Sequence, residues 1–414
     1  MALVVQKFGG TSVGDPDRIR EVADQVARTR RRGDDLVLVV SAMGKETDEL
    51  LHLASQLSAA PPGREMDMLI TAGERKATAL VCMALHEQGV PADSLTGSQA
   101  GFVTDTNHMN AKIIEVRPER VRQAVSAGRV PVVGGSQGVS TDRNVTFFGR
   151  GGSDTTAVAL AHALGGVCEL YTDVSGVFTT DPRLVPTARK LPRVSFDEML
   201  ELCACGCPKP AMRAVEYART HKVPLHVRSA FTWEPGTWID EEDPLMEQAM
   251  ISGVVGDASE AKITLTNAPD RPGIAGQLFR GLAGRSVNVD MIVQNVSEGG
   301  QTDISFTVPK SDLTAGREVS EAVAGAIGAG EVTADDGIGR VSLVGAGMKS
   351  HPGVAATVFE TLAEADINIE MISTSAIRIS CIVRQIDLER AVIVLHAAFG
   401  LDHPPLGGGR QGAA

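Results

Sequence analysis

Eight consecutive residues, Gly149-Arg150-Gly151-Gly152-Ser153-Asp154-Thr155-Thr156, gather several groups that could do chemistry. Glycines let backbone N–H groups approach an anion closely, and Ser153 and Asp154 are types that cap a helix. The Arg150 guanidinium is a planar fork suited to a carboxylate or phosphate. Upstream, Asn144-Val-Thr-Phe-Phe148 is β-prone; downstream, the alanine-rich residues 157–164 read as a helix closed by Gly165-Gly166. A strand, a glycine loop and a helix start make an anion cradle, with a plain capped turn as the bland alternative.

Such a loop needs a scaffold, and the first half of the chain repeats one unit, a strand that stops in a small-residue loop followed by a helix. Leu3-Val-Val5 leads into Lys7-Phe8-Gly9-Gly10, and Leu36-Val-Leu-Val-Val40 ends at Ser41-Ala-Met-Gly44. Val130-Pro-Val-Val133 precedes Gly134-Gly-Ser-Gln-Gly138, and Cys168-Glu-Leu-Tyr171 precedes Thr172-Asp173. The run 36–40 is apolar at every position, as in a parallel strand covered on both faces. In such α/β sheets the ligand crevice lies beyond the carboxyl ends of the strands, where these loops converge. Residues 17–32 have helical spacing with basic residues toward the end, and 223–228 supplies a further strand. The Pro- and acid-rich residues 234–244 read as a domain boundary.

The totals restrict function further. A length of 414 residues allows two or three domains, and 39 basic against 51 acidic side chains, net −12, argue against nucleic acid as a partner. The N-terminus lacks a signal-peptide pattern and no run reaches a membrane span, so the expected location is cytoplasmic, with no membrane partner. The six cysteines include Cys203-Ala-Cys205-Gly-Cys207, a spacing unlike the usual zinc pairs, so no metal site is expected from the protein's own ligands.

The second half contains an internal repeat. Lys262-Ile-Thr-Leu-Thr, Asp270-Arg-Pro-Gly273, a helix and Val287-Asn-Val-Asp-Met-Ile292 correspond to Arg340-Val-Ser-Leu-Val, Ser350-His-Pro-Gly353, a helix and Ile367-Asn-Ile-Glu-Met-Ile372. The glycine-containing tail from Leu401 is expected to be disordered.

In order, Lys7-Phe-Gly-Gly-Thr-Ser12, Ser41-Ala-Met-Gly44, Thr71-Ala-Gly-Glu-Arg75, Gly149-Arg-Gly-Gly-Ser-Asp154, Tyr171-Thr-Asp173 and Asp181-Pro-Arg183 make the chain resemble the aspartate kinases. The resemblance implies an α/β amino-acid kinase-type three-layer sandwich with a mainly parallel sheet at 1–245. Two βαββαβ ACT modules would follow at 246–336 and 337–402, with a disordered tail at 403–414. Residues 248–253 would lend a strand to the second module. The implied reaction is ATP-dependent phosphorylation of the L-aspartate side-chain carboxylate, the first step toward lysine, threonine and methionine, with magnesium bridging the phosphates. Lys7, Arg150 and Asp154 would be catalytic. Ser41, Thr47, Glu74, Arg150, Gly151 and Ser153 would bind the acceptor, while Lys7, Phe8, Gly9, Gly10, Thr172, Asp173, Asp181, Arg183 and Lys209 would serve ATP.

The ACT modules would bind lysine or threonine and join subunits in a homo-oligomer. Matching effector positions are Gly273, Ala275, Asn288, Asp290 and Gln294 in the first copy and Met371, Ser373 and Ser375 in the second. Four departures from the family pattern fall near one pocket: Lys45-Glu46-Thr47-Asp48 where two threonines usually precede the aspartate, Lys76-Ala77 where Ile-Ser usually follows Glu-Arg, Ser136 for an aromatic, and Pro208 where the nucleotide-side lysine is usual. They leave open a related kinase acting on another amino dicarboxylate, or a non-catalytic amino-acid sensor.

Overall fold

The computed structural model describes residues 3–241, 251–295, 299–346, 348, 351 and 353–403. It divides into two compact units, Met1–Phe178 with Lys190–Met246, and Thr179–Arg189 with Glu247–Ala414. Of the tail expected to be disordered from Leu401, residues 401–403 are described and Leu401 is buried in the core of the second repeat; the rest lies outside the described residues.

The first unit is built on an eight-stranded sheet. Its middle strand, Leu3–Phe8, runs parallel to Asp35–Val40 on one side and to Val167–Thr172 on the other. Val130–Gly134 and Ala92–Leu95 extend the sheet in parallel beyond Asp35–Val40. On the other side, Leu225–Ser229 adds in parallel, then Thr237–Asp240 antiparallel to it, then Arg193–Ser195. The strand Thr237–Asp240 falls inside the stretch read as a boundary from its prolines and acids; pairing with Leu225–Ser229 outweighs that composition.

The apolar run 36–40 is at most 1 % exposed, as a strand covered on both faces must be. Alternation then sorts its side chains. Leu36, Leu38 and Val40 pack with Phe8 and with Val22, Val26, Val81 and Leu85 of the helices Pro16–Arg31 and Gly63–Glu87. Neighbouring positions, Lys7 among them, point to the opposite face, where the helix Gly152–Leu164 packs on the strand Leu3–Phe8. Burying each Leu or Val contributes roughly 1.5–3 kcal/mol, so this core holds the strand that carries Lys7 firmly in place. A second, four-stranded sheet is formed by Ile113–Val116, Phe102–Thr104, Gln137–Ser140 and Val145–Phe147.

The second unit contains both repeats. The first has strands Glu260–Pro269, Ile292–Gln294, Gln301–Pro309 and Val332–Asp335 with helices Ile274–Gly284 and Leu313–Ile327. The second has strands Ile338–Gly345, Met371–Thr374 and Arg378–Arg384 with helices Gly353–Glu364 and Leu388–Ala398. Its fourth strand comes from earlier in the chain: Ile251–Asp257 pairs antiparallel with Ile338–Gly345. Residues 248–250 of the expected lent strand lie outside the described residues.

Residues 179–189 also belong to this unit. The Val254 N–H donates to the Thr179 carbonyl, and the Thr179 hydroxyl lies 2.9 Å from His396 Nε2.

The two repeats meet in a reciprocal manner. Lys262 and Arg340 occupy equivalent positions, as do Asp290 and Glu370. Lys262 of the first copy pairs with Glu370 of the second, and Arg340 of the second pairs with Asp290 of the first. The equivalent Met291 and Met371 share one apolar cluster with Ile338 and Ile382.

Candidate active site

One cleft of about 230 Å³ in the first unit is lined by Lys7, Gly9, Gly10, Thr11, Ser41, Gly44, Gly151, Ser153, Asp154, Thr172, Asp173 and Lys209. All but Lys209 come from the carboxyl ends of three parallel strands and from the start of the helix Gly152–Leu164; Lys209 lies between the helices Phe196–Ala204 and Met212–His221. The strand-loop-helix reading of the sequence therefore converges on a single place.

Lys7 is the penultimate residue of the strand Leu3–Phe8, on the face of that helix, and its Nζ lies 2.6 Å from Asp154 Oδ1, with both side chains nearly out of solvent. Asp154 Oδ2 also accepts from the Ala211 N–H at 3.1 Å. Burial alone would raise the Asp154 pKa, but the charge and hydrogen bond of Lys7, the charge of Lys209 and the Ala211 N–H outweigh it and hold it below the usual carboxylate range. The cleft thus keeps two cations, Lys7 and Lys209, close to one firmly ionised carboxylate.

Glycines set how closely the walls approach. A Cβ on Gly10 would stand 2.8 Å from the Ala42 carbonyl, so any side chain there would push the loop after Asp35–Val40 away. Gly151 has φ 74° and is itself the N-cap of the helix Gly152–Leu164, with no side-chain capping bond. Ser153 and Asp154 lie within the first turn instead of capping it, which frees both side chains to face the cleft.

Glu74 sits on the buried side of the helix Gly63–Glu87, 3 % exposed. Burial pushes its pKa up to about 7, with the Glu46 charge adding to the rise, against hydrogen bonds from its own N–H and that of Ala42. Its Oε2 has no hydrogen-bond partner. A buried carboxylate oxygen left unpaired beside Ala42, next to the cleft-lining Ser41, is suited to an ammonium group of a ligand.

The other expected residues are distributed as follows. The Phe8 side chain is core, stacked on Tyr171 with centroids 4.9 Å apart, so only its backbone belongs to the loop. Arg150 is exposed and reaches only Asp48, at 3.5 Å, rather than lining the cleft. Thr47 is half-buried in the first turn of the helix Glu46–Leu57. Asp181 and Arg183 pair with each other at 2.6 Å on the segment that belongs to the second unit.

Thr11 and Gly44 line the cleft although neither was singled out from sequence; both fall inside motifs that were, and their loops carry them in. Two of the departures meet: the Lys76 Nζ lies 2.6 Å from Glu46 Oε1. Among the effector positions, Gly273 is the left-handed N-cap of Ile274–Gly284, which contains Ala275. Asn288 and Gln294 are exposed, whereas Asp290 is engaged by Arg340. Met371 is 6 % exposed in the shared cluster, Ser373 lies on Met371–Thr374, and the Ser375 N–H donates to the Arg378 carbonyl.

Residues 2–229 match the amino acid kinase family, and residues 266–321 and 341–399 match the ACT domain. The aspartokinase of Mycolicibacterium smegmatis is 55 % identical over 407 residues, covering 97 % of each chain. A crystal structure of aspartate kinase from Synechocystis is 43 % identical, with a TM-score of 0.55 over 99 % of this chain and 71 % of that one. The E. coli aspartokinase III complex with aspartate and ADP has a TM-score of 0.81 at 23 % identity, over 96 % of this chain and 99 % of that one, and so shares the fold.

Proposed function

Since the chain belongs to the amino acid kinase family and, within it, to the aspartokinases, we infer that it transfers the γ-phosphoryl group of ATP to the side-chain carboxylate of L-aspartate. The product is 4-phospho-L-aspartate. This acyl phosphate is the first intermediate toward lysine, threonine and methionine. The observation that carries the reading is the cleft in which Lys7, Lys209, Asp154 and the Gly9-Gly10 turn converge.

The chemistry follows from the charges. A side-chain carboxylate, with an ordinary pKa of about 3.9, is already an anionic nucleophile at neutral pH, so no general base is required. The barrier lies in bringing it against the phosphates, which repel it, and the site must neutralise and align. Lys7, held by Asp154, stabilises charge on the transferring group. Lys209 and the Gly9-Gly10 backbone hold the phosphates. Ser41 and Ser153 orient the acceptor, and Glu74 takes its ammonium. The sensor alternative finds no support in this cleft, where Lys7 and Asp154 remain paired and Lys209 is present beside Pro208.

Magnesium fits this site as a nucleotide-borne ion. Among the described residues no group of three His, Cys, Asp or Glu could hold a metal, and magnesium commonly relies on phosphates, waters and one or two carboxylates. Asp154 and Asp173 are the carboxylates lining the cleft, and the ion would supply charge neutralisation on the phosphates.

The ACT repeats support binding of lysine or threonine and association of subunits through these modules. No described helix is long and apolar enough to cross a membrane, in keeping with a cytoplasmic enzyme. ADP release from Mg-ATP, measured across a panel of amino dicarboxylates with and without lysine and threonine, tests the whole reading. L-aspartate should dominate the panel; dominant turnover of another acceptor, or none with any, would contradict it.

A further inference from the structure

The turn Gly134-Gly135-Ser136-Gln137 lies between two residues given to the acceptor. A Cβ on Gly134 would stand 3.4 Å from Glu74 Cβ, and one on Gly135 would stand 2.4 Å from Ser153 Oγ. Gly135 is therefore required for the turn to reach so close to Ser153, while at Gly134 a Cβ would meet Glu74 at ordinary contact distance. Ser136 is the residue that fastens it.

Three bonds do so. The Ser136 N–H donates to Thr156 Oγ1 at 3.0 Å, its carbonyl accepts from the Phe148 N–H at 2.8 Å, and its hydroxyl lies 3.0 Å from Ser153 Oγ. Ser136 is 5 % exposed and Ser153 6 %, so the hydroxyl pair is shielded from bulk water. The backbone of Ser136 is left-handed, φ 58°, a conformation that disfavours any side chain. A serine placed there at a cost in backbone energy, where glycine would be easier, points to work done by its hydroxyl.

We propose that Ser136 is a positioning residue for the acceptor: its hydroxyl donates to Ser153 Oγ and so turns the Ser153 proton toward a carboxylate in the cleft. A hydroxyl is one donor and two acceptor sites. When Ser136 occupies an acceptor site on Ser153, the remaining proton has the cleft as its outlet, and a donor that is itself accepting a hydrogen bond is strengthened by polarisation. The same contact fixes the rotamer of Ser153 in advance of binding, so less freedom is lost when the acceptor arrives. The inference rests on the reading of Ser153 as an acceptor-binding residue.

The test uses the full-length enzyme and steady-state kinetics of Ser136→Ala, Ser136→Gly, Ser153→Ala and the double variant Ser136→Ala/Ser153→Ala. Loss of one such hydrogen bond is expected to raise KM for aspartate about fivefold in both Ser136 variants, with kcat and KM for ATP changed less than twofold. Ser136→Gly should melt at a higher temperature than Ser136→Ala, because glycine accepts the left-handed backbone, while sharing its kinetic loss. A purely structural role would instead make kinetics follow stability.

In the Ser153→Ala background the Ser136→Ala change should add nothing to KM, since its route to the acceptor is gone. An unchanged KM for aspartate in Ser136→Ala, an equal rise in KM for ATP, or full additivity in the double variant would overturn the proposal. If Ser153→Ala itself leaves KM for aspartate unchanged, it is the reading of Ser153 that fails, and the proposal falls with it.

Discussion

The ammonium of Lys7 and the carboxylate of Asp154 form an ion pair at 2.6 Å, with side chains only 6 % and 4 % exposed. The strand Leu3–Phe8 supplies one partner and the first turn of Gly152–Leu164 the other, so sheet–helix packing sets the position of the charge that phosphoryl transfer needs. Asp154 holds the Lys7 ammonium in place where it lines the cleft.

Lys7→Met should therefore do two separable things. It should lower kcat about a thousandfold, the scale of removing a preorganised electrostatic group. It should also destabilise the fold by about 3–5 kcal/mol, because the buried Asp154 loses its ion-pair partner and keeps only the Ala211 N–H and the more distant charge of Lys209. Adding Asp154→Asn should restore much of the stability, read by thermal melting, and none of the rate.

Glu74 gives a pH signature. Its folded pKa of about 7 lies above the ordinary value of 4.5, so between those values the native state holds a proton that the unfolded chain has lost. The sign follows: this contribution to stability is fully present below about pH 4.5 and is lost as pH rises through about 7, a change of about 3 kcal/mol. Glu74→Gln should remove that slope and be more stable than wild type at pH 8. The ammonium partner must be met by ionised Glu74, so kcat/KM for aspartate should rise through about pH 7 in wild type and lose that limb in Glu74→Gln.

Glu46 and Lys76 act on the same limb. Lys76 engages Glu46 Oε1 at 2.6 Å, while Glu46 Oε2 is buried without a hydrogen-bond partner and the Glu46 charge raises the Glu74 pKa. Lys76→Ala should expose Glu74 to the full like charge and move the limb to higher pH, by roughly 0.5 unit. Glu46→Gln should move it the other way. Both shifts are read from pH profiles of kcat/KM.

The reciprocal pairs between the repeats should be unequal in energy. Arg340 is 1 % exposed among Asp257, Glu260 and Asp290, whereas the Lys262 and Glu370 side chains are 21 % and 16 % exposed. Arg340→Met should cost about 3–5 kcal/mol by leaving the buried Glu260 and the half-buried Asp257 without their cation, Lys262→Met only about 1 kcal/mol. Urea denaturation of the two variants checks the ranking.

What was legible in the sequence was local. The run 36–40 announced a covered parallel strand because every position is apolar, and Lys7-Phe-Gly-Gly announced a strand running into an anion loop. Self-comparison revealed the repeat, whereas the strand lent by residues 248–253 was implied only by the family resemblance, since a pairing such as that of Ile251–Asp257 with Ile338–Gly345, across more than eighty residues, leaves no local mark. The same holds for Glu46 with Lys76, which looked like independent departures until two helices brought them together. Residues 179–189 fall inside the stretch 1–245 read as one domain, and only the Thr179 bonds to Val254 and His396 group them with the second unit. Arg150, the most conspicuous group in its loop, is exposed, while Asp154 beside it is buried against Lys7.

The most direct measurement is hydroxamate trapping of the acyl phosphate made from Mg-ATP and L-aspartate, with the trapped product identified by mass and by comparison with authentic α- and β-aspartyl hydroxamates. Wild-type protein should give the β-aspartyl hydroxamate in step with ADP, and Lys7→Met should give almost none. A folded, ATP-binding wild-type protein that yields no hydroxamate, or yields the α isomer, would contradict phosphoryl transfer to the aspartate side chain.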